Sequence, residues 1–187
     1  MKRWTILLVG VCLAFGTLGV LAEAASADPE AEKAAIAKAI DASIGWFKDK
    51  DFDLLFSVMA DDPDLFMFQP RWDSTVHGIQ QFRANTEIWR DPANRYVSHQ
   101  VRDLRIHQHP SGEVAWFSAV IEDCGDYGGK VGCWKDTRWT GVLEKREGRW
   151  VIMQMHFSFA AEKVVEAYKT REEAKKREQA GQEAKPQ

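Results

Sequence analysis

The chain has 187 residues, 45% of them hydrophobic and 28% charged, with a formal net charge of −3. This apolar content excludes a disordered polymer, 13 glycines are too few for a collagen-like repeat, and a net negative charge excludes nucleic-acid binding through bulk positive charge. The length fits one domain, or one domain plus a tail, and two features stand out: eight tryptophans and three cysteines.

Met1-Lys2-Arg3 precedes an apolar run from Ile6 to Leu21, and Ala25-Ser26-Ala27 follows before Asp28-Pro29. A basic start, an apolar stretch and a small-x-small site predict a secretory signal peptide over residues 1–27, cut after Ala27. A spanning helix usually needs ~20 apolar residues and this run is diluted by glycines, so no stable membrane span is expected after cleavage. The product is then periplasmic or secreted. Cys12, Lys2, Arg3 and Glu23 leave with the signal, which takes the net charge to −4 and leaves Cys124 and Cys133 as an even pair. In an oxidising compartment that pair is expected to form a disulfide, stapling the turn-rich segment from Gly125 to Gly132.

From Glu30 to Lys48 apolar residues recur at helical spacing, namely Ala35, Ile36, Ala39, Ile40, Ile44 and Phe47, with Asp28-Pro29 suited to the first turn. Asp51-Phe52-Asp53 opens a second, short helix that ends before Asp61-Asp62-Pro63. Leu65 to Phe68 reads as a short strand, Pro70 to Asp73 as a turn, and Ser74 to His77 as a second short strand. A third helix follows Gly78, marked by Ile79, Phe82, Ile88 and Trp89 and closed by Asp91-Pro92. The period then changes to two: long strands are predicted over Tyr96–His107, Val114–Asp123, Trp134–Lys145 and Trp150–Phe159. Helices first and an antiparallel meander afterwards is the α+β pattern. Residues 28–160 form the expected domain, and 161–187 read as a short helix running into a charged, solvated tail.

Several of these segments together resemble the SnoaL-like branch of the nuclear-transport-factor-2-like (NTF2-like) superfamily. They are Asp51-Phe52-Asp53 through Ala60-Asp61-Asp62, His77-Gly78-Ile79 opening a helix, Gly112 to Trp116, Arg138 to Lys145, Gly148 to Ile152, and His156-Phe157-Ser158. The resemblance implies a cone: a strongly curved antiparallel sheet wrapped around three helices, with ligands entering between the helices and the concave face. It also implies sheet-to-sheet dimers. Activity is not implied, since this fold hosts isomerases, dehydratases, association domains and simple binders. Alignment of Ala60-Asp61-Asp62 on the similar segment of ketosteroid isomerases puts Ser43 where their catalytic Tyr falls and Met67 where their Asp base falls. That activity is therefore not expected.

Strict alternation along the last strand puts Trp150, Ile152, Gln154, His156 and Ser158 on one face and Val151, Met153, Met155, Phe157 and Phe159 on the other. If the first face is concave, His156, Gln154 and Ser158 line the cone and the apolar face is convex, where a second copy would cover it to give a homodimer. The faces can also be swapped. His156 is the leading general acid or base, because imidazole titrates near neutrality; Asp73 and His99 are its candidate partners. Trp72, His77 and Arg138 complete the candidate ligand contacts, with Trp72 as an aromatic wall and Arg138 as an anion clamp or a structural ion-pair partner. His107-x-His109 lacks a third ligand and lies at a hairpin tip, so no metal is assigned, and no cofactor motif is present. The expectation is an exported protein binding a small apolar or aromatic molecule, with or without cofactor-independent acid-base catalysis. A non-catalytic binder, or an interaction module using the convex sheet, remains the alternative.

Overall fold

A computed structural model of the chain describes residues 28–70 and 74–183. The expected signal peptide lies outside the described residues, as do Trp72 and Asp73. Helix α1 spans Pro29–Gly45, with the Asp28 carboxylate accepting from the Glu30 backbone N–H at 3.1 Å; a 3₁₀ turn carries the chain through Trp46–Lys48. Helix α2 spans Phe52–Val58 and is capped by Asp51, whose carboxylate accepts from the Leu54 N–H at 2.8 Å. After the short strands β1 (Phe66–Phe68) and β2 (Val76–His77), helix α3 covers Gly78–Thr86 and passes into a 3₁₀ turn at Glu87–Arg90. The long strands are β3 (Asn94–Gln108), β4 (Val114–Tyr127), β5 (Val131–Arg146) and β6 (Arg149–Ser158), and α4 (Ala161–Glu183) leaves the domain.

One curved, unclosed sheet has the order β2-β1-β6-β5-β4-β3. Every pairing is antiparallel except β1 with β6, which run parallel. The helices pack on the inner face, where Ile36 and Ile40 of α1 and Leu143 and Ile152 of the sheet are fully buried. Each such side chain contributes roughly 1.5–3 kcal/mol by leaving water. Gly141 is required on this face. A Cβ there would stand 2.5 Å from the Phe117 ring and 2.6 Å from the Gln154 carbonyl oxygen, so the ring occupies the space a side chain would take.

The curvature has local causes. Register slips by one residue at four places, leaving Val97 and Asp103 extra on β3, Asp136 extra on β5 and Met153 extra on β6. Such bulges bend a strand and increase its twist. Asp103 and Asp136 adopt φ of 52° and 48°, a left-handed conformation that Asp tolerates better than most residues.

The Met153 bulge overturns the strict alternation expected for β6. Leu143 pairs with Ile152, but Val142 pairs with Gln154, so parity changes across Met153. Trp150 and Ile152 face the helices, and beyond the bulge Met155 and Phe157 do so. Gln154, His156 and Ser158 are thereby turned to the outer, convex face. The apolar face of this strand end is covered by the molecule's own helices, which removes the apolar convex face from which a dimer was argued.

The strands also run further than expected, because Cys124 and Cys133 sit inside β4 and β5 as directly opposed residues with Cα atoms 4.1 Å apart. They form a disulfide on the outer face. Only Gly128–Lys130 is left as the turn. At the opposite end of the domain Glu32 of α1 accepts from Lys145 Nζ at 2.6 Å and Trp150 Nε1 at 2.8 Å, tying the start of the helix to β5 and β6. These two hydrogen bonds, Lys145 first, hold the Glu32 carboxyl below the usual carboxylate range. No helix among the described residues is long and apolar enough to cross a membrane.

Candidate functional site

Between the helices and the concave face lies a cavity of about 290 Å³. The end of α1 and its 3₁₀ turn contribute Ser43, Ile44, Trp46 and Phe47; α3 and the turn after it contribute Phe82, Asn85, Thr86, Ile88 and Trp89. The sheet supplies Met67, Val76, Asp123, Tyr127, Trp134, Met155 and Phe157. The wall is aromatic and partly self-supporting. Trp89 packs between Phe47 and Tyr127, with ring centroids 5.1 and 5.7 Å away, and Trp134 packs on Phe157 at 5.6 Å.

Polar groups on this wall are few. Ser43 Oγ donates to the Ile40 carbonyl at 2.8 Å and Thr86 Oγ1 to the Arg83 carbonyl at 2.7 Å, so both hydroxyl protons are used within their own helices. Gln69, Asn85, the Tyr127 phenol and the Asp123 carboxylate are the groups best placed to meet a ligand. Burial pushes the Asp123 carboxyl above the usual carboxylate range, an effect partly offset by His99. Burial, together with the neighbouring Asp123 charge, likewise raises the Tyr127 phenol.

Asp123 owes its position to strand parity. Ala115, Phe117, Ala119 and Ile121 of β4 are buried on the inner face, and Asp123 continues the same series. Directly opposite on β3 is His99. Its backbone N–H donates to the Tyr96 hydroxyl at 2.9 Å, and that hydroxyl lies 3.1 Å from Nδ1, while Nε2 lies 3.2 Å from an Asp41 carboxylate oxygen. With the Tyr96 O–H donating to Nδ1 and Nε2–H donating to Asp41, every polar contact of the ring is satisfied. Gly45 makes the approach possible, because a Cβ there would meet the imidazole at 3.2 Å. The His99 side chain is 16% exposed and that of Asp41 64%, so the ring stands between a solvated carboxylate and a buried one.

The sequence-predicted residues divide cleanly. His99 is brought beside the cavity's carboxylate. Expected on the concave face, His156, Gln154 and Ser158 lie instead on the outer face, where the Met153 bulge puts them, and the His156 ring is edge-on to Phe68 at 5.7 Å. His77 pairs with Phe66 at the same outer face, its ring 5.1 Å from the phenyl. Arg138, opposite Ser158, is exposed there too and clamps nothing in the cavity. Ser43 and Met67, the two positions matched to isomerase catalytic residues, both line the cavity. His107 stacks on Trp116 and His109 bonds Ser111, and among the described residues no group of three or more His, Cys, Asp or Glu could hold a metal.

Asp123, Tyr127 and the tryptophans 46, 89 and 134 were not singled out as site residues by sequence reasoning. For Asp123 a signal existed: it is the one charged residue on the otherwise apolar alternating face of β4.

Comparison with known proteins identifies the scaffold. The SnoaL-like domain family matches residues 36–162. No curated protein matches the chain significantly. Among solved structures, a protein from Novosphingobium aromaticivorans assigned as a scytalone dehydratase superposes with a TM-score of 0.59 at 13% identity, covering 68% of this chain and 83% of the other. A protein from Streptomyces avermitilis assigned as a dehydratase of the NTF2-like family gives 0.57 at 17%, covering 71% and 99%. The association domain of C. elegans CaMKII gives 0.53 at 19%, covering 70% and 97%. At these identities the likeness is one of fold.

Proposed function

Because the chain belongs to the SnoaL-like domain family of the NTF2-like superfamily, we propose that it binds a small aromatic or alicyclic molecule in the cavity and acts on it by acid-base chemistry without a cofactor. One observation carries the reading: among the described lining residues a single carboxylate, Asp123, is set into an aromatic wall where burial raises its proton affinity. A carboxylate with a raised pKa is matched to proton transfer nearer neutral pH, and water exclusion by the surrounding rings strengthens its interaction with a substrate. Asp123 is the group assigned to take or give the proton at its carboxylate oxygen. Tyr127 and Asn85 orient the ligand. His99 is a positioning residue, biasing the charge of Asp123 from the adjacent strand while its own nitrogens are engaged by Tyr96 and Asp41. Neighbours assigned as dehydratases favour this reading over a purely mechanical module.

The test has two stages. Small aromatic and alicyclic compounds are screened by thermal shift against the wild-type protein and against Ser43→Trp, which fills the cavity; compounds of this site should stabilise the first and not the second. Hits are then incubated with wild-type protein and Asp123→Asn and followed by mass spectrometry. Turnover lost in Asp123→Asn with binding retained is the expected result, turnover unchanged in that variant overturns the assignment of Asp123, and binding without turnover reduces the function to a carrier.

Export belongs to the same proposal. Removal of residues 1–27 would leave Asp28 at the N-terminus, and an oxidising compartment suits the Cys124–Cys133 bridge. Mass spectrometry of the intact extracellular or periplasmic protein should find Asp28 first, and an intact Met1 overturns it. A homodimer, if formed, would use the outer face, where Phe68 and Trp116 are 48% and 45% exposed; light scattering on the purified protein decides its mass.

A further inference from the structure

We infer that the cavity selects an organic cation: a small aromatic or alicyclic molecule bearing an ammonium group, held by the Asp123 carboxylate inside the tryptophan-rich wall. The inference rests on reading the cavity as a small-molecule site and adds the charge of its ligand.

The first argument is an inventory of charge. Among the described lining residues there is one carboxylate and no Lys, Arg or His. His99 stands beyond the wall and is shared with Asp41, so the group of Asp41, His99 and Asp123 carries one net negative charge with the imidazole protonated and two with it neutral. The site is negative in either state. Tyr127, which interacts with Asp123 on the same wall, adds nothing positive.

The second argument concerns four nearby cations among the described residues, each of which has another partner. The Arg90 guanidinium lies 3.9 Å above the Phe52 ring and hydrogen-bonds Glu87; that of Arg83 lies 4.3 Å above Phe56. Lys50 Nζ donates to the Asp91 carbonyl at 2.7 Å, and Arg95 pairs with Asp126 at 2.5 Å. None of these four completes Asp123. Burial of the Asp123 carboxylate is costly and only partly offset by His99, and a cation supplied by the ligand would remove more of that cost.

The third argument is the wall. Trp46, Phe47, Trp89, Tyr127, Trp134 and Phe157 surround one small cavity. Aromatic faces carry negative quadrupole potential and attract a cation where water is excluded, Trp most strongly. Nothing about enclosing a neutral hydrocarbon needs both this density of indoles and an ionisable acid. The desolvation that raises the Asp123 carboxyl acts in the same sense, since a seated ammonium group would restore its ionised form.

The experiment uses three probes of one shape on the full chain: benzyltrimethylammonium, its neutral isostere neopentylbenzene, and anionic phenylmethanesulfonate. Affinities are read from tryptophan fluorescence. The cation should bind at least tenfold more tightly than the neutral probe, the anion should be weakest, and Asp123→Asn should erase the difference between cation and neutral. Should that variant fold poorly, the wild-type pH profile serves instead. Affinity for the cation should rise with pH as Asp123 ionises, while affinity for the neutral probe stays flat. A neutral or anionic probe binding as tightly as the cation overturns this inference and leaves the small-molecule reading standing; failure of all three at millimolar concentration overturns both.

Discussion

The two ends of the curved sheet enclose different interiors. At the end near the start of α1, Ile36, Ile40, Leu143 and Ile152 fill the space completely, and Glu32 ties helix to strands through Lys145 and Trp150. At the other end the same sheet meets the 3₁₀ turns after α1 and α3 and leaves a cavity lined by large rings around a carboxylate. The fold does not require the void, since apolar side chains of the same helix and sheet are fully buried a few residues away. An interior that keeps an acid and an opening where packing would be more stable supports the proposed site.

Truncation in the two regions should therefore have unequal effects. Trp139 is fully buried, stacked on Phe157 at 5.5 Å and edge-on to Phe117 at 4.9 Å. Trp139→Ala should cost about 3–5 kcal/mol in chemical denaturation, the range for deleting a large buried aromatic. Trp134→Ala, at the cavity wall, should cost less than half as much and instead alter ligand affinity. Equal losses would mean that the cavity wall is as tightly packed as the filled end, which would dissolve the contrast.

The disulfide sharpens the same comparison. Cys124 and Cys133 are the rung next to Asp123 and Trp134, which are themselves paired across β4 and β5. Side chains alternate across the sheet, so a bond on the outer face fixes the backbone from which two cavity residues project inward. The loop it closes is short, and its removal should cost roughly 2–3 kcal/mol by chain entropy. Cys124→Ser with Cys133→Ser should also weaken probe binding, whereas the filled end should keep its hydrogen-exchange protection. Loss of stability with unchanged affinity would restrict the bridge to a structural role.

How much of this could be read in the sequence depended on the kind of signal. The α+β order, the helix starts at Asp28 and Asp51 and the cysteine pair all follow from local rules, and each was legible. The bulges were not, because an extra residue only shifts the phase of the alternation, and the shift is hidden where the flanking residues are apolar on both faces. Met153 is apolar on either side of the count, and its insertion transferred His156 from inside to outside. Asp123 was legible in principle, since a charge at the next inward position after Ile121 breaks an apolar face, although it falls at the predicted end of the strand beside Cys124.

Asp123→Asn should act in the opposite direction from the preceding changes. Its folded-state carboxyl is raised, so the contribution it makes to stability is fully present below the unfolded carboxylate pKa and is lost as pH rises through the folded value. At neutral pH the ionised group therefore weighs against the fold. Replacement by Asn should raise Tm there by a few degrees, about 1 kcal/mol for a domain of this size. The gain should disappear in acid, where wild type is neutral as well. A lower Tm at pH 7 would show that Asp123 has a stabilising partner and is not held in reserve for a ligand.

The smallest effect is expected at the residue the sequence pointed to first. His156 is exposed on the outer face, opposite Thr140, and its one ring contact among the described residues is the edge of Phe68, itself about half exposed. Its neighbours on either side, Met155 and Phe157, are the ones that reach the cavity. His156→Ala should therefore change stability by no more than about 0.5 kcal/mol, the usual range for a surface position away from any special contact. Probe affinity and its pH profile should be untouched. A shift in either would require His156 and the cavity to be coupled through Met155, that is, a β6 whose bulge at Met153 can slip by one residue and exchange its two faces. The fully buried Ile152 and Trp139 on either side of that bulge argue against such a slip, because moving the register would carry Met155 and Phe157 out into water and bring Gln154 and His156 in against Trp139 without partners.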